Sequence, residues 1–521
     1  MLREEMGFQS PTIPEVTQDN REKFTVIIGA GLSGIAAAIQ LQRLGQPYII
    51  LEKNDALGGT WYENTYPEAG VDTPNHFYSF TFASEYDWEH YFSKQPEVLK
   101  YLHWVAERES VTEHIRFGAK VTGSTWNEDS NSWETRVDGP NGSETIVSDL
   151  VVTAVGQLNQ PKLPEIPGLE TFKGSIFHTA QWPGDIDLAG KRVALIGSGA
   201  SAVQAARSIA ATASSLTVFQ RSPQWLMPNP DYLRSVSEAK RRLIREVPYY
   251  AAWYRFTLFW RYADGLLPTL QIDPAWEDSD RSINAVNDSH RRFLTRYMEK
   301  KLEGRPDLLE KALPDYPPYG KRMVVDNDWF DTLLRENVEL VTDGVAEVSP
   351  SGVRTDRGDD RDFDVIIFAT GFQATRMLGP LNFLGRGGRS LHEYWNDDDP
   401  KAYLGMTVPG FPNLFLLLGP NTALAHGGSV IFHVEAQVSY VAKCIAELIN
   451  SGCNTLEPTE EACTQWTDAV AAAHRAMVFS HQGMSNWYKN SKGRVVTVSP
   501  WRLVDYWSWT REPDFEKLVL A

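Results

Sequence analysis

FTVIIGAGLSGIAAAIQLQRLG, residues 24 to 45, is the stretch on which the fold turns. Phe24 to Ile28 reads as a short apolar strand, GAGLSG from Gly29 to Gly34 is a G-x-G-x-x-G turn, and Ile35 to Leu44 has helix-forming composition that stops at Gly45. Gly29 permits the tight turn, Gly31 lets backbone N–H groups approach a pyrophosphate, and Gly34 lets the helix lie against its strand, with the helix N-terminus favouring an anion. The next apolar run, Tyr48 to Leu51, ends in Glu52, near the ~20-residue spacing expected of an acid that binds ribose hydroxyls. An acid there repels a 2′-phosphate, so FAD or NAD suits the turn better than NADP; a glycine turn without ligand is the alternative.

Downstream the pattern recurs. Val193 to Ile196 leads into GSGASA, Gly197 to Ala202, a G-x-G-x-x-A variant, and an alanine-rich helix is expected from Val203 to about Ala213. The strand after it, Leu216 to Phe219, ends in Gln220, Arg221 and Ser222, so a guanidinium and a hydroxyl stand where the first motif has Glu52. Those groups suit a 2′-phosphate, which makes NADPH the expected second ligand and assigns FAD to the first turn; Arg221 as a solvated surface residue is the competing reading. Between the turns, LGGTWYENTYPEAGVDTP offers Gly58 and Gly59 as backbone for phosphate, an aromatic wall of Trp61 and Tyr66, and Asp72, a carboxylate whose burial would require a partner from elsewhere in the chain.

Two further segments, DLVVTAVG (149 to 156) and DVIIFATG (364 to 371), each place an acid, an apolar strand and a small-residue turn in a row, as expected of a strand end beside flavin. Residues 231 to 314 change to helical stretches that include the aromatic run PYYAAWYRFTLFW; such a stripe packs in a core or lines a substrate entrance. The region ends in PDYPPYGKRM, whose Lys321 and Arg322 are either a plain basic turn or a cationic delivery to a phosphate and to the reacting centre.

Composition sets outer bounds. A chain of 521 residues predicts two or three domains, and 42% hydrophobic with 22% charged residues is that of a globular protein. The net charge of −17 disfavours nucleic acid as a partner. Cys444, Cys453 and Cys463 match neither a redox C-x-x-C nor a zinc pattern, so no metal is expected. The N-terminal residues lack the apolar run of a signal peptide, and Val247 to Leu270 is interrupted by Arg255, Arg261 and Asp264; a cytoplasmic chain without a membrane partner is expected.

FKGSIFHTAQWP, residues 172 to 183, matches the pattern FxGxxxHxxxWP through Phe172, Gly174, His178, Trp182 and Pro183, and on it the chain resembles the type I Baeyer–Villiger monooxygenases. The segment from Gly58 to Asp72 resembles a second marker of that family, GGxWxxxxYP followed by an aspartate, departing at Glu68, where the family more often has Gly or Met. YPPYGKRM, the segment 415 to 429 and the segment 486 to 507 look like the 4-hydroxyacetophenone monooxygenase group. N- and S-oxygenating flavin monooxygenases resemble the chain less, usually lacking the Trp-Pro, and a flavoprotein that only oxidises NADPH or senses redox state is a third reading.

The resemblance implies an α/β fold with two Rossmann-like dinucleotide-binding domains, the NADPH domain inserted in the FAD domain, and a helical insertion. The expected parts are 1–160 for FAD, 161–230 with 315–330 for NADPH and connectors, 231–314 for the helical insertion, and 331–521 for the rest of the FAD domain. It also implies that NADPH reduces FAD, O2 adds, and a flavin peroxide converts a ketone, aryl or cyclic, to an ester or lactone. Arg322, held by Asp72, would stabilise that peroxide, while Lys321, Arg221 and Ser222 would bind the 2′-phosphate. Gly29, Gly31, Gly34, Glu52, Gly59, Thr60, Trp61, Gln157, Gly197, Gly199, Ala202, Gly371 and Trp487 complete the expected cofactor contacts. Phe172, Gly174, His178, Trp182 and Pro183 are expected to form a connector between domains, with His178 a hinge residue in preference to an acid or base.

Overall fold

The computed structural model describes residues 1, 4, 13–17, 22–425, 427–482 and 484–521; His426, within the 415 to 429 segment, lies outside them. β1 (Thr25–Ile28) runs into α1 (Leu32–Arg43), then β2 (Tyr48–Leu51), β3 (Ile115–Arg116) and β4 (Leu150–Thr153). A second series follows: β5 (Ser175–His178), β6 (Arg192–Ile196), α2 (Ala200–Thr212) and β7 (Ser215–Phe219). The helical stretch holds α3 (Glu238–Glu246), α4 (Tyr250–Tyr262) and α5 (Ala285–Lys301); β8 (Val338–Val341), β9 (Val365–Phe368), β10 (Leu414–Leu416) and the long α6 (Val430–Ser451) come after.

Two five-stranded parallel sheets organise the chain, in the orders β10-β4-β1-β2-β3 and β8-β7-β6-β9-β5. β1, β4, β9 and β10 are buried along their whole length, as parallel strands covered on both faces must be. On one face of the first sheet α1 and α6 share a core with Ile27, Ile50 and Val152; on the other, Val26, Ile28 and Val151 pack with Trp126 and Trp133 of a sheet in which 120–127, 132–139 and 142–148 are antiparallel and 382–384 joins 120–127 in parallel. Both are Rossmann-type units.

The strand-turn-helix starts agree with the sequence to within a few residues; each helix begins directly after its second turn glycine, Gly31 or Gly199. The expected boundary at 331 is corrected. β8 pairs with β7 and β9 lies between β6 and β5, so Val338–Val341 and Val365–Phe368 belong to the second sheet, and the chain rejoins the first sheet at Leu414. DVIIFATG is therefore the second sheet's counterpart of DLVVTAVG, with no place in the first. The backbone contacts are the same in both: Gly29 N–H donates to Leu51 O and Ala154 N–H to Ile28 O, while Gly197 N–H donates to Phe219 O and Ala369 N–H to Ile196 O. Asp149 accepts from the Phe24 N–H and Asp364 from the Arg192 N–H, so each acid ties its strand to the start of the motif strand.

The FKGSIFHTAQWP segment, expected as a connector, supplies an edge strand of the second sheet. Its residues Ser175–His178 are β5, in register with Val365–Phe368, because its backbone groups find partners only along that strand. A Cβ on Gly174 would lie 2.3 Å from Asp364 O, which explains the glycine. His178 is buried, its Nδ1 accepting from the Ala180 N–H at 3.1 Å, and Trp182 packs edge-on against Phe177.

Positions within the turns differ in the room they leave for a side chain. A Cβ on Gly34 would stand 1.9 Å from Gly29 O, whereas one on Gly199 meets nothing within 4 Å. Gly34→Ala is expected to destabilise the chain by about 2–3 kcal/mol and lower Tm by several degrees, with Gly199→Ala close to wild type, as read by differential scanning calorimetry.

Candidate active site between two dinucleotide turns

At the first turn, Gly29 has φ +104 and sits against the Ala154 carbonyl, while a Cβ on Gly59 (φ +54) would lie 3.0 Å from the Gly31 Cα. Two glycines thus bring bare backbone together at the start of α1. Glu52 is buried: one oxygen accepts from the Ala30 N–H at 2.7 Å and the other from the Asn54 N–H at 2.9 Å, each keeping a lone pair for a further donor. Thr60 is exposed and Trp61 buried, its Nε1 donating to Tyr78 Oη at 3.1 Å. Gln157, after β4, donates through Nε2 to the carbonyls of Leu418 and Gly419, tying the end of β4 to the end of β10. The departure at Glu68 falls on left-handed backbone, φ +65, which a glycine would adopt without strain; here the side chain is held by Lys94 Nζ at 3.1 Å.

At the second turn, Gly197 has φ +118 and its Cβ position is filled by Ala369 O at 2.4 Å; Ala202 is fully buried. Ser198 Oγ donates to Ser222 O at 3.0 Å, and Lys321 Nζ donates to Ser222 Oγ at 2.6 Å while lying over the Tyr316 ring. Burial pushes the Lys321 ammonium below the usual lysine value, and the charge of the exposed Arg221 acts in the same direction. Arg221, Ser222 and Lys321 therefore form one cationic corner at the end of β7. Gly371 (φ +80) ends the strand-turn after β9, in the second unit.

Between the turns, Arg322 meets Asp72. Nη2 lies 2.8 and 2.7 Å from the two carboxylate oxygens, Nε is 3.1 Å from Oδ2, and Nη1 donates to the Leu424 carbonyl at 2.5 Å. The pair is not the fully buried one expected from the sequence, since the side chains keep 26% and 31% exposure, so both reach solvent. Burial acts against the guanidinium charge, but Asp72 outweighs it and holds the Arg322 pKa above the ordinary arginine value. Tyr488, wholly buried beside the pair, has its phenol pushed up by burial, against the pull of Arg322 and with that of Asp72; Trp487, half-buried, stands edge-on to it at 4.6 Å.

Sequence reasoning missed the residue that locks the two units. Gln204, on the face of α2 turned towards the first unit, accepts from Tyr66 Oη at 2.8 Å and donates to Gly70 O and Tyr232 Oη, both at 3.1 Å, thereby holding the loop that ends in Asp72. No motif signals such a residue, nor the Leu424 carbonyl. His178 and Trp182 lie with the second sheet.

The residues fit two dinucleotides: glycine backbone at a helix start in each unit, an acid in one and a cationic corner in the other. Residues 26–250 match the family model "Pyridine nucleotide-disulphide oxidoreductase". The chain is 44% identical over 492 residues to the uncharacterized monooxygenase y4iD of Sinorhizobium fredii, covering 94% of this chain and 74% of that one. It is 35% identical over 490 residues to the Baeyer–Villiger monooxygenase of Streptomyces coelicolor, covering 94% and 91%. The crystal structure of OTEMO complexed with FAD and NADP superposes with a TM-score of 0.82 at 27% identity, covering 96% of this chain and 100% of that one. Identity of this extent along both chains, with the double-turn architecture and the Arg322–Asp72 pair, shows that the chain belongs to the type I Baeyer–Villiger monooxygenases.

Proposed function

We propose that Arg322, fixed by Asp72, is the cation that serves the reacting centre of an FAD- and NADPH-dependent monooxygenase converting ketones and O2 to esters or lactones. The observation that carries this is the three-point hold on one guanidinium between two dinucleotide turns. When bound, FAD supplies the oxygen chemistry and NADPH the hydride.

The chain's own residues divide the work. Gly29, Gly31, Gly34 and Gly59 with Glu52 hold FAD, with Thr60, Trp61 and Gln157 alongside, and Gly197, Gly199 and Ala202 hold the NADPH pyrophosphate. Arg221, Ser222 and Lys321 receive the 2′-phosphate, two charges and a hydroxyl against a dianion. Arg322 presents a positive charge that needs no reorganisation when negative charge develops beside it; one such preplaced donor contributes on the order of 3–4 kcal/mol. Asp72 orients the guanidinium, balances its charge and holds the Arg322 pKa above the ordinary arginine value, so that Arg322 stays charged throughout the working pH range. Trp487 walls the nicotinamide end, and the substrate is an aryl or cyclic ketone. The Leu424 carbonyl holds Arg322 from behind, with the buried Tyr488 close to the pair.

Arg322→Ala is expected to retain NADPH oxidation while releasing hydrogen peroxide in place of ester, with ester formation down by 100-fold or more, about 3 kcal/mol. Peroxide assay beside mass spectrometry of a panel of aryl, cyclic and linear ketones and a sulfide reads this; undiminished ester removes the arginine role, and sulfoxide as the sole product removes the ketone reading. Arg221→Ala should raise KM for NADPH at least tenfold while leaving KM for NADH near its wild-type value, in steady-state kinetics with both cofactors. Because the Lys321 pKa is lowered and the protonated form binds phosphate, KM for NADPH should climb as pH rises through a value below the usual lysine range. That climb should vanish in Lys321→Met and be absent for NADH at any pH.

A further inference from the structure

Gln204 touches both segments that carry the ion pair. Its side chain binds Tyr66 Oη and Gly70 O on the loop that ends in Asp72, and its backbone carbonyl accepts from Asn327 Nδ2 at 3.3 Å, shortly beyond Arg322. Asn327 is fully buried and Gln204 is 6% exposed, so both contacts lie out of water. Among the buried residues of α2, otherwise alanine, valine and isoleucine, Gln204 is polar. A buried amide is costly unless its hydrogen bonds are met, and an apolar residue would fill the same space without that demand. Here Oε1 and Nε2 are both engaged, the latter by Gly70 O and Tyr232 Oη.

The first unit holds the same loop from the other side. Gln95 N–H donates to Ala69 O at 2.7 Å and Val71 N–H to Ser93 O at 3.0 Å, and a Cβ on Gly70 would stand 2.9 Å from Ser93 O. Residues 66–72 are thus set between 93–95 and α2. Ser208, which falls within about 60° of Gln204 around the helix, places its Oγ 3.5 Å from Glu68 Oε1. The helix that makes these contacts begins at Gly199, the turn read above as holding the NADPH pyrophosphate. One rigid element therefore joins the second turn to the loop of Asp72.

We propose that Gln204 is a positioning residue for the oxygenation: it fixes Asp72, and through Asp72 the Arg322 guanidinium, relative to the unit that carries NADPH. The inference rests on the reading of Arg322 given above, and Gln204 acts through the ion pair, not on the ketone. A displacement of about 1 Å at a reacting centre costs on the order of 100-fold in rate, so a slack loop is enough to divert the reaction. NADPH, H+ and O2 then give NADP+ and H2O2, and the ketone is left unchanged.

The test uses the FAD-loaded full chain and a ketone of the panel that the wild type converts. Gln204→Met removes the three side-chain hydrogen bonds at similar volume, and Tyr66→Phe removes one. The ratio of ester to peroxide formed should fall about tenfold or more in Gln204→Met and about threefold in Tyr66→Phe, while KM for NADPH moves far less than in Arg221→Ala, because the cationic corner is untouched. Hydrogen exchange, read without turnover, should quicken about fivefold or more at the Ala69 and Val71 amides and stay at the wild-type rate in Thr25–Ile28. An unchanged ratio in Gln204→Met overturns the proposal even when Arg322→Ala releases peroxide, and so does a loss of Tm with faster exchange throughout and the ratio kept, which is a purely structural role. If Arg322→Ala itself keeps the ratio, the reading of Arg322 fails and the proposal with it. Should Gln204→Met not fold, Tyr66→Phe decides by the same ratio and the same amides.

Discussion

The ion pair of Asp72 and Arg322 joins residues 250 positions apart and brings three segments to one point. One is the loop after the first turn, the second is the strand-turn that leaves the helical stretch, and the third is the backbone at Leu424. A guanidinium is planar and offers its donors in a fixed fork, so engaging Nε, Nη1 and Nη2 leaves it one orientation. With about a quarter to a third of each side chain exposed, the pair lies between the surface and buried regimes, where losing one partner costs about 1–3 kcal/mol. Gln204 reinforces it from the second unit by gripping the loop through Tyr66 and Gly70. Charge placement and the docking of the two units are therefore one structural problem with one solution.

That solution rests on a backbone device used twice. In each unit the first turn glycine has positive φ and lies against the carbonyl of an alanine at the end of the neighbouring strand, Ala154 or Ala369. Close approach of this kind is open only to glycine, and it sets the start of each helix beside the strand ends where a phosphate can meet free N–H groups. The units then diverge at the end of the next strand. Glu52 is turned inward onto the Ala30 N–H, whereas Arg221 remains exposed above Ser222 and Lys321. The same scaffold thereby presents an acid at one site and cations at the other.

Much of this was legible from spacing. Glycine positions, strand ends and the Glu52 and Arg221 contrast are local features, and local steric rules act within a few residues. DVIIFATG misled for a physical reason: an apolar strand ending in small residues meets the same demands in either sheet, and nothing within it states which sheet it joins. FKGSIFHTAQWP marked the family correctly, yet its strand character was hidden because an edge strand with one half-exposed face has no strong alternation. The aromatic run of α4 was open to a core or an entrance reading; only the packing shows which rings point outward.

By itself the sequence determined the two dinucleotide turns, the parallel α/β architecture and the family, because these depend on backbone conformations that particular residues allow or forbid at short range. The tertiary structure alone decided which sheet claims Val338–Val341 and Val365–Phe368, that Asp72 faces Arg322 with the Leu424 carbonyl behind it, that Gln204 bridges the units, and that Trp253 and Trp260 are exposed. Those are contacts between distant segments, and their partners are selected by how whole sheets and helices bury their apolar faces, a condition no single stretch of chain carries.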